Sequence, residues 1–266
     1  MTCISFDGTY PDSSQRSRAQ KRCQEPFIDI GLSVRYCVRM GRPPRAAEGG
    51  YVYHVLNRAN GRMRIFRKDA DYEAFEAVLI EAVERTRTRL LAYCLMPNHW
   101  HLMVWPREDG ELSRFVGWLT LTHTQRWHAH RRSVGYGHLY QGRFKSFPIQ
   151  EDDHLYSVGR YVERNALRAK LVRRAEAWRW CSLYRWLRGS AEDKALLSTW
   201  PVTRKPSWVE YVNSPQTEAE LLALRQSVLR GNPYGDAFWS EQAIRDLGLE
   251  STIRPRGRPK KTENGS

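Results

Sequence analysis

The stretch that decides the fold runs from Leu91 to Trp105 and reads LAYCLMPNHWHLMVW. Two apolar runs flank Pro97-Asn98, a pair typical of turns, so the stretch predicts two adjacent strands. Side chains alternate across a strand, so His99 and His101 lie on one face while Trp100 points to the other. Two imidazoles on one face of a rigid strand are suited to chelating one divalent cation.

Periodic patterns on either side of this stretch complete a β-α-β-β-α-β order. The predicted elements are a strand over 51–57, a helix over 69–87, strands near 90–96 and 99–105, a helix over 112–132, a turn and edge strand within 138–147, and a helix over 152–170. That order is typical of the ferredoxin-like split βαβ layout, an α+β fold with an antiparallel sheet. We expect the helices to cover one face of the sheet and to leave the other face open for chemistry.

The rest of the chain divides by composition. We predict a disordered extension over 1–39, with Met40 as the true start, and a catalytic domain over 40–190. A linker over 191–216, a small helical C-terminal appendage over 217–250 and a basic tail over 251–266 are expected to follow. The appendage is either a DNA-reading module or a packing unit.

The bulk composition points to a polyanionic partner. The chain has 43 Lys and Arg against 29 Asp and Glu, a net charge of +14, which favours nucleic acid over a membrane. A basic protein without such a partner is the alternative.

The 5 cysteines include no C-x-x-C pair, which argues against a disulfide framework and a thiolate zinc site. No signal peptide and no spanning apolar stretch is evident, so we expect a cytoplasmic, nucleoid-associated protein with no membrane partner.

The third predicted helix adds a nucleophile and a further ligand. Its apolar stripe fixes the side that meets the sheet, and Tyr161 and Asn165 lie one turn apart at the edge of that stripe, with His154 nearby. A helix edge leaning over the sheet would bring a phenol and an amide oxygen toward His99 and His101. The set would then contain two imidazoles and one carbonyl oxygen for a metal, and one hydroxyl to attack.

Each of these signals also has a purely structural interpretation. An H-x-H on a strand is most often a pair of packed or surface histidines. A tyrosine such as Tyr161 at a helix edge is usually a packing residue, and Asn165 fits a polar surface position. His154 is either a supporting residue beside a ligand or a solvated helix histidine.

Four motifs resemble one known family. They are YHVLNR from Tyr53, MPNHWH from Met96, QGRFKS from Gln141 and YVERN from Tyr161. Together they are similar to the single-tyrosine HUH transposases of the IS200-like family, and most of all to the REP-associated tyrosine transposases. The resemblance covers about residues 40–187. Ala166 departs from the proline that often follows the asparagine in relatives.

The resemblance implies an activity and a set of residue roles. His99, His101 and Asn165 would bind a divalent metal, Mg²⁺ or Mn²⁺, and Tyr161 would attack the DNA phosphate. The enzyme would cleave and rejoin single-stranded DNA through a 5′-phosphotyrosine intermediate, at hairpin-forming palindromic repeats. Related enzymes act as monomers and as homodimers, so both states stay open.

Two basic segments are candidate DNA contacts. Arg143 and Lys145 lie in a run that interleaves cations with aromatics, a mixture suited to phosphates and unpaired bases. Arg256, Arg258 and Lys260 form an AT-hook-like tail that would enter a narrow minor groove. An ordinary edge strand and a plain basic tail are the respective alternatives.

Two competing functions follow from the same residues. One is a catalytically silent nucleic-acid-binding regulator that keeps the fold. The other is a metallohydrolase that activates water, although no acidic ligand accompanies the histidines. A denaturation-resistant protein–DNA adduct is expected of the transposase and of neither alternative.

Overall fold

The structure, a computed structural model, describes residues 46–135 and 137–254. The extension over 1–39, the start at Met40 and the tail residues Arg256, Arg258 and Lys260 lie outside these residues, so those predictions stay predictions. Within the described part, no helix is long and apolar enough to span a bilayer.

A four-stranded antiparallel sheet is the centre of the fold. Its strands are β1 (Val52–Arg58), β2 (Arg89–Met96), β3 (His99–Trp105) and β4 (Lys145–Ile149), in the spatial order β2-β3-β1-β4. This order is the one expected of a split βαβ unit, because β3 inserts between β1 and β2. The predicted α+β fold class and the hairpin at Pro97-Asn98 are confirmed.

The helices alternate with and follow these strands. In the described part of the chain they are α1 (Asp69–Thr86), α2 (Glu111–His130), α3 (Asp153–Glu163), α4 (Asn165–Arg168), α5 (Ser182–Arg188), α6 (Ala191–Ala195), α7 (Trp208–Asn213), α8 (Glu218–Arg230), α9 (Ala237–Asp246) and α10 (Glu250–Ile253). The third helix, predicted as one piece over 152–170, is interrupted at Arg164, where α3 gives way to α4.

Both faces of the sheet are covered, which corrects the expectation of one open face. α1 and α2 pack on the first face, over a core that includes Phe75, Trp100 and Phe115. α3 packs on the second face, over a core that includes Val158 and Val162. The apolar stripe of α3 needs a partner surface, and the apolar side chains on that face of the sheet provide it.

The segment over 191–216, predicted as a linker, contributes to the second core. It contains α6 and α7, and it buries Trp200 and Trp208 beside α3. The helices predicted over 217–230 and 236–248 are present as α8 and α9. α8 packs against β4, and Leu221 and Leu224 of α8 join the same core.

Candidate active site

The side chain of Tyr161 on α3 contacts the ring of His101, the second histidine of β3. The ring centroids of Tyr161 and His101 are 5.7 Å apart, and those of His99 and His101 are 5.0 Å apart. His101 and Tyr161 are both buried. The structure therefore brings the predicted nucleophile and the paired imidazoles into one cluster on the second face of the sheet.

Local contacts explain why α3 holds this position. Asp152 caps the helix by accepting a hydrogen bond from the backbone N–H of His154, which satisfies one of the free donors of the first turn. At the other end, the fully buried carboxylate of Glu163 accepts hydrogen bonds from Ser182 Oγ at 2.6 Å and Trp208 Nε1 at 2.7 Å. The helix is thus anchored at both ends around Tyr161.

Asn165 begins α4 and lies one turn beyond Tyr161. Its side chain is buried, and its Oδ1 accepts a hydrogen bond from Arg168 Nη2 at 3.1 Å. Its Nδ2 is buried without a hydrogen-bond partner. A carbonyl oxygen has two lone pairs, so Oδ1 keeps one acceptor position for a further ligand.

A third imidazole, from His54 on β1, supports the pair on β3. His54 Nε2 and His101 Nδ1 are 2.9 Å apart, and His99 Nδ1 lies 2.6 Å from Asn98 Oδ1. The hydrogen bonds of the described residues therefore use the Nδ1 atom of each β3 histidine and leave both Nε2 atoms for a ligand. The sequence analysis assigned no role to His54, although the alternation of β1 could have placed it on this face.

Burial keeps these imidazoles neutral. Desolvation, with smaller contributions from the charges of Arg58 and Arg168, lowers the pKa of His99 to about 4. Desolvation likewise lowers the pKa of His54 to about 3 and holds that of His101 well below its usual range. Only a neutral imidazole has a lone pair for a metal, so the histidines are in the ligating form at neutral pH.

The donor set fits a divalent cation. Among the described residues, no cluster of three or more His, Cys, Asp or Glu side chains is arranged to hold a metal ion. A centre at this place therefore needs a ligand of another type, and Asn165, one turn beyond Tyr161, offers an amide oxygen with a free acceptor position. Nitrogen and oxygen donors in this combination suit Mn²⁺ somewhat better than Mg²⁺, which prefers oxygen ligands.

Two arginines flank the cluster. The guanidinium carbon of Arg168 lies 4.1 Å from the centroid of the Tyr161 ring. Arg58 lies directly opposite His99 in the β1–β3 register, so their side chains share the second face of the sheet, which we call the candidate catalytic face. No sequence pattern points to a role for either arginine.

The other predicted residues are placed as follows. His154 does not join the cluster: its Nδ1 lies 2.8 Å from Asp152 Oδ1 and its ring contacts Tyr234. The supporting position predicted for it is held by His54.

The two predicted DNA-contact residues of the described part lie apart. Lys145 lies opposite Leu56 in the β1–β4 register, on the candidate catalytic face, and Arg143 lines a separate groove.

That groove runs between α2 and the loop that precedes β4. It has a volume of about 880 Å³, and its walls include Thr120, Thr124, His138 and Arg143, with no carboxylate among its described lining residues. Asn57 also lines it, at the end of β1. The next residue, Arg58, points to the opposite face, so the groove and the cluster lie on opposite faces of the sheet at the same end of that strand.

Comparisons with known proteins point to one family. The family model described as "Transposase IS200 like" matches residues 49–165. Two similar solved structures are a REP-associated tyrosine transposase bound to a REP hairpin (15% identity, 67% of this chain and 100% of that chain, TM-score 0.46) and a putative transposase from Deinococcus radiodurans R1 (18% identity, 46% and 96%, TM-score 0.33). No curated protein matches the chain.

Proposed function

Because residues 49–165 belong to the IS200-like transposase family, we propose that this protein is a metal-dependent transposase that cleaves and rejoins single-stranded DNA through Tyr161. The observation that carries the proposal is the contact between the Tyr161 phenol ring and the imidazole of His101, with ring centroids 5.7 Å apart; His99 packs beside His101 on the same strand. A phenol next to imidazoles that can hold a metal suits nucleophilic attack on a phosphodiester, because a metal is one of the means by which a weak nucleophile is made effective.

The proposed reaction is a phosphoryl transfer to tyrosine. Tyr161 Oη loses its proton and attacks the phosphorus, the bond from phosphorus to the 3′ oxygen breaks, and the 3′ oxygen takes up a proton in turn and leaves as a hydroxyl. The DNA 5′ end remains on Tyr161 as a phosphotyrosine. A second 3′-hydroxyl reverses the step, so strands are rejoined without an external energy source.

His99, His101 and Asn165 would hold the divalent metal. When bound, the cation would withdraw charge from a nonbridging phosphate oxygen and make the phosphorus more electrophilic. His54 fixes the tautomer and the orientation of His101 through the hydrogen bond of 2.9 Å between their rings. Glu163 keeps the end of α3 in place, so Tyr161 stays over the sheet.

The substrate class proposed is single-stranded DNA that contains a hairpin-forming palindrome. The net charge of +14 supports a polyanion. The groove that contains Arg143 offers amide, hydroxyl and imidazole groups together with apolar surface, which suits unpaired nucleotides. Asn57 of the groove directly precedes Arg58 of the cluster, so a bound strand would have to pass the end of β1 to reach Tyr161.

The direct test is the formation of a covalent adduct. Labelled single-stranded oligonucleotides with hairpin palindromes are incubated with the protein and Mn²⁺ or Mg²⁺, and a denaturing gel separates free DNA from adduct. We expect a metal-dependent adduct with the native chain and none with Tyr161→Phe, which keeps the ring but lacks the attacking oxygen. His99→Ala should lose metal dependence and rate together.

The matched control is Tyr156→Phe. Tyr156 lies on the same helix, but its hydroxyl donates to the backbone carbonyl of Thr203 and not to the cluster. This variant should form adduct as the native chain does. Full cleavage by Tyr161→Phe would refute the tyrosine mechanism. DNA binding without any adduct would identify a silent regulator, and cleavage without adduct would identify a metallohydrolase.

A further inference from the structure

Two guanidinium groups beside the cluster of Tyr161, His99 and His101 have no carboxylate partner among the described residues. They belong to Arg58 on β1 and Arg168 on α4, and neither forms an ion pair there. Several other shielded arginines do: Arg131 pairs with Asp71 at 2.9 Å, Arg160 with Glu220 at 2.6 Å and Arg185 with Glu76 at 3.2 Å. A partly buried cation without an anion is costly, and such a group is typical of a site that receives an anion.

The position of Arg168 is set by two contacts. Its guanidinium lies over the Tyr161 ring, with the central carbon 4.1 Å from the ring centroid, and its Nη2 donates to Asn165 Oδ1 at 3.1 Å. Its Nη1 is buried and has no hydrogen-bond partner. The Nη2 atom of Arg168 is therefore held by Asn165, while its Nη1 atom, beside the ring of Tyr161, has no acceptor.

Arg58 approaches the same cluster from the sheet. It stands opposite His99 in the antiparallel register of β1 and β3, so the two side chains are cross-strand neighbours on the candidate catalytic face. The Nε atom of Arg58 is buried and lacks a hydrogen-bond partner. The unused donors of the two arginines thus belong to side chains on either side of the His99–Tyr161 cluster.

We propose that Arg58 and Arg168 form a clamp that binds the nonbridging oxygens of the phosphodiester attacked by Tyr161. This inference deepens the proposed function and rests on it for the identity of the attacking group. Guanidinium groups match phosphate because their planar fork donates two parallel hydrogen bonds. An incoming phosphodiester would satisfy the unused donors and neutralise charge that no carboxylate balances.

The test uses dimethyl phosphate, the simplest phosphodiester, titrated into the metal-free full-length chain and followed by ³¹P NMR. Arg58→Gln and Arg168→Gln remove the guanidinium, and we expect each to weaken binding about tenfold, the loss typical of a charge-assisted hydrogen bond. Arg58→Lys and Arg168→Lys keep the charge but lose the fork, and intermediate affinities are expected of them.

Arg173→Gln is the matched control for charge. Arg173 is exposed and lies five residues beyond Arg168, so the substitution removes the same charge away from the cluster. It should bind dimethyl phosphate as the native chain does. The proposal is overturned if the native chain shows no saturable binding, if both glutamine variants bind normally, or if Arg173→Gln loses as much affinity.

This test is separable from that of the proposed function. Tyr161→Phe should retain dimethyl phosphate binding while losing the DNA adduct. If no DNA forms an adduct but the arginine variants still lose phosphate affinity, the transposase proposal fails and the clamp stands.

Where a cleaved oligonucleotide is found, a neutral methylphosphonate at the cleaved position gives a second readout. An arginine that acts on phosphate charge should matter much less for this substrate. Arg168→Gln should then slow adduct formation on the normal DNA and leave the rate on the methylphosphonate close to that of the native chain. An equal slowing on both substrates would mean that Arg168 only supports the fold, and would refute its part in the clamp.

Discussion

At the scale of single residues, the hydrogen bond between His54 and His101 decides what the cluster can bind. A ring nitrogen that is held by a neighbour fixes both the tautomer and the direction of the opposite nitrogen. The two rings are 2.9 Å apart at the bonded atoms, and the His54 ring also packs on Phe147 with centroids 4.8 Å apart. His54 is therefore a positioning residue for the imidazole of His101.

His54→Phe should weaken metal binding without unfolding the chain. The phenyl ring fills the space of the imidazole but cannot hold His101 Nδ1, and loss of such a supporting contact typically costs about 10- to 100-fold in metal affinity. The measurement is a Mn²⁺ titration followed by the EPR signal of the free ion. His123→Phe is the control, because His123 is equally buried but bonds Tyr140 on the other face of the sheet. Equal Mn²⁺ affinities in the native chain and His54→Phe would rule out this role.

His54 also shows which part of a site a sequence can predict. The spacing of His99 and His101 gives their common face from strand geometry alone, and the i, i+4 relation gives that of Tyr161 and Asn165. Whether His54 meets His101 depends on the register between β1 and β3, which pairs Leu56 with His101. Register depends on contacts between segments that are distant in the chain, so it cannot be predicted from the local pattern of one strand.

His123 predicts a pH dependence of stability. Burial lowers its pKa to about 3 in the folded chain, against an ordinary value near 6.5. Between these values the unfolded chain binds a proton at His123 and the folded chain does not, so the free energy of unfolding falls as the pH falls. From pH 6.5 to 4.5 this residue should account for about 2 kcal/mol of the loss.

The check is urea unfolding of the native chain and of His123→Gln at both pH values. The other buried histidines titrate in both proteins and cancel in the comparison. The glutamine variant should lose about 2 kcal/mol less stability over this range than the native chain. Parallel pH profiles for the two proteins would contradict a depressed pKa at His123.

At the scale of elements, the position of α3 depends on a close contact at Gly159. A Cβ atom built on Gly159 would lie 2.4 Å from Cη2 of Trp200 and 3.2 Å from Cη2 of Trp208. Only a glycine lets α3 approach these two indoles so closely. Since Tyr161 follows two residues later, we expect this contact to set the height of the proposed nucleophile above the sheet.

Gly159→Ala should therefore push α3 outward. Overpacking of this kind typically costs about 1–3 kcal/mol, and we expect the rate of adduct formation to fall more than the affinity for DNA. Gly117→Ala is the control, since Gly117 lies in α2 and no atom lies within 4 Å of its added Cβ. That change should be neutral or stabilise the helix by up to about 1 kcal/mol. Normal stability and rate in Gly159→Ala would show that α3 can shift without consequence.

The elements themselves follow from local patterns, but their partners do not. Alternation predicts β2 and β3 almost to their ends, and helical spacing predicts α1, α2, α8 and α9. The break at Arg164 and the burial of Trp200 were missed. Trp200 lies in a polar segment without periodicity, and it is ordered because its ring fills the space above Gly159, 41 residues earlier in the chain.

At the scale of the whole molecule, the excess of positive charge should dominate DNA affinity. A protein that neutralises several phosphates releases their counterions, so its binding constant falls steeply with salt concentration. Several arginines already have a carboxylate partner that compensates their charge, as Arg126 has Glu81 through two hydrogen bonds. The exposed cations that line the groove or lie on the candidate catalytic face are the ones expected to contact phosphates.

Arg143→Gln tests this distribution of charge. Arg143 is exposed and lines the groove beside α2, so its loss should weaken binding of single-stranded DNA about equally for all sequences. The slope of log K against log salt concentration should become shallower by about 0.7, the value for one phosphate contact on a single strand. Fluorescence anisotropy with a labelled oligonucleotide over a series of NaCl concentrations measures both quantities. Arg126→Gln removes the same charge from an existing ion pair and should leave the slope unchanged, because Glu81 already compensates that cation. Equal changes in slope for the two variants would mean that net charge alone, and not the groove, attracts the DNA.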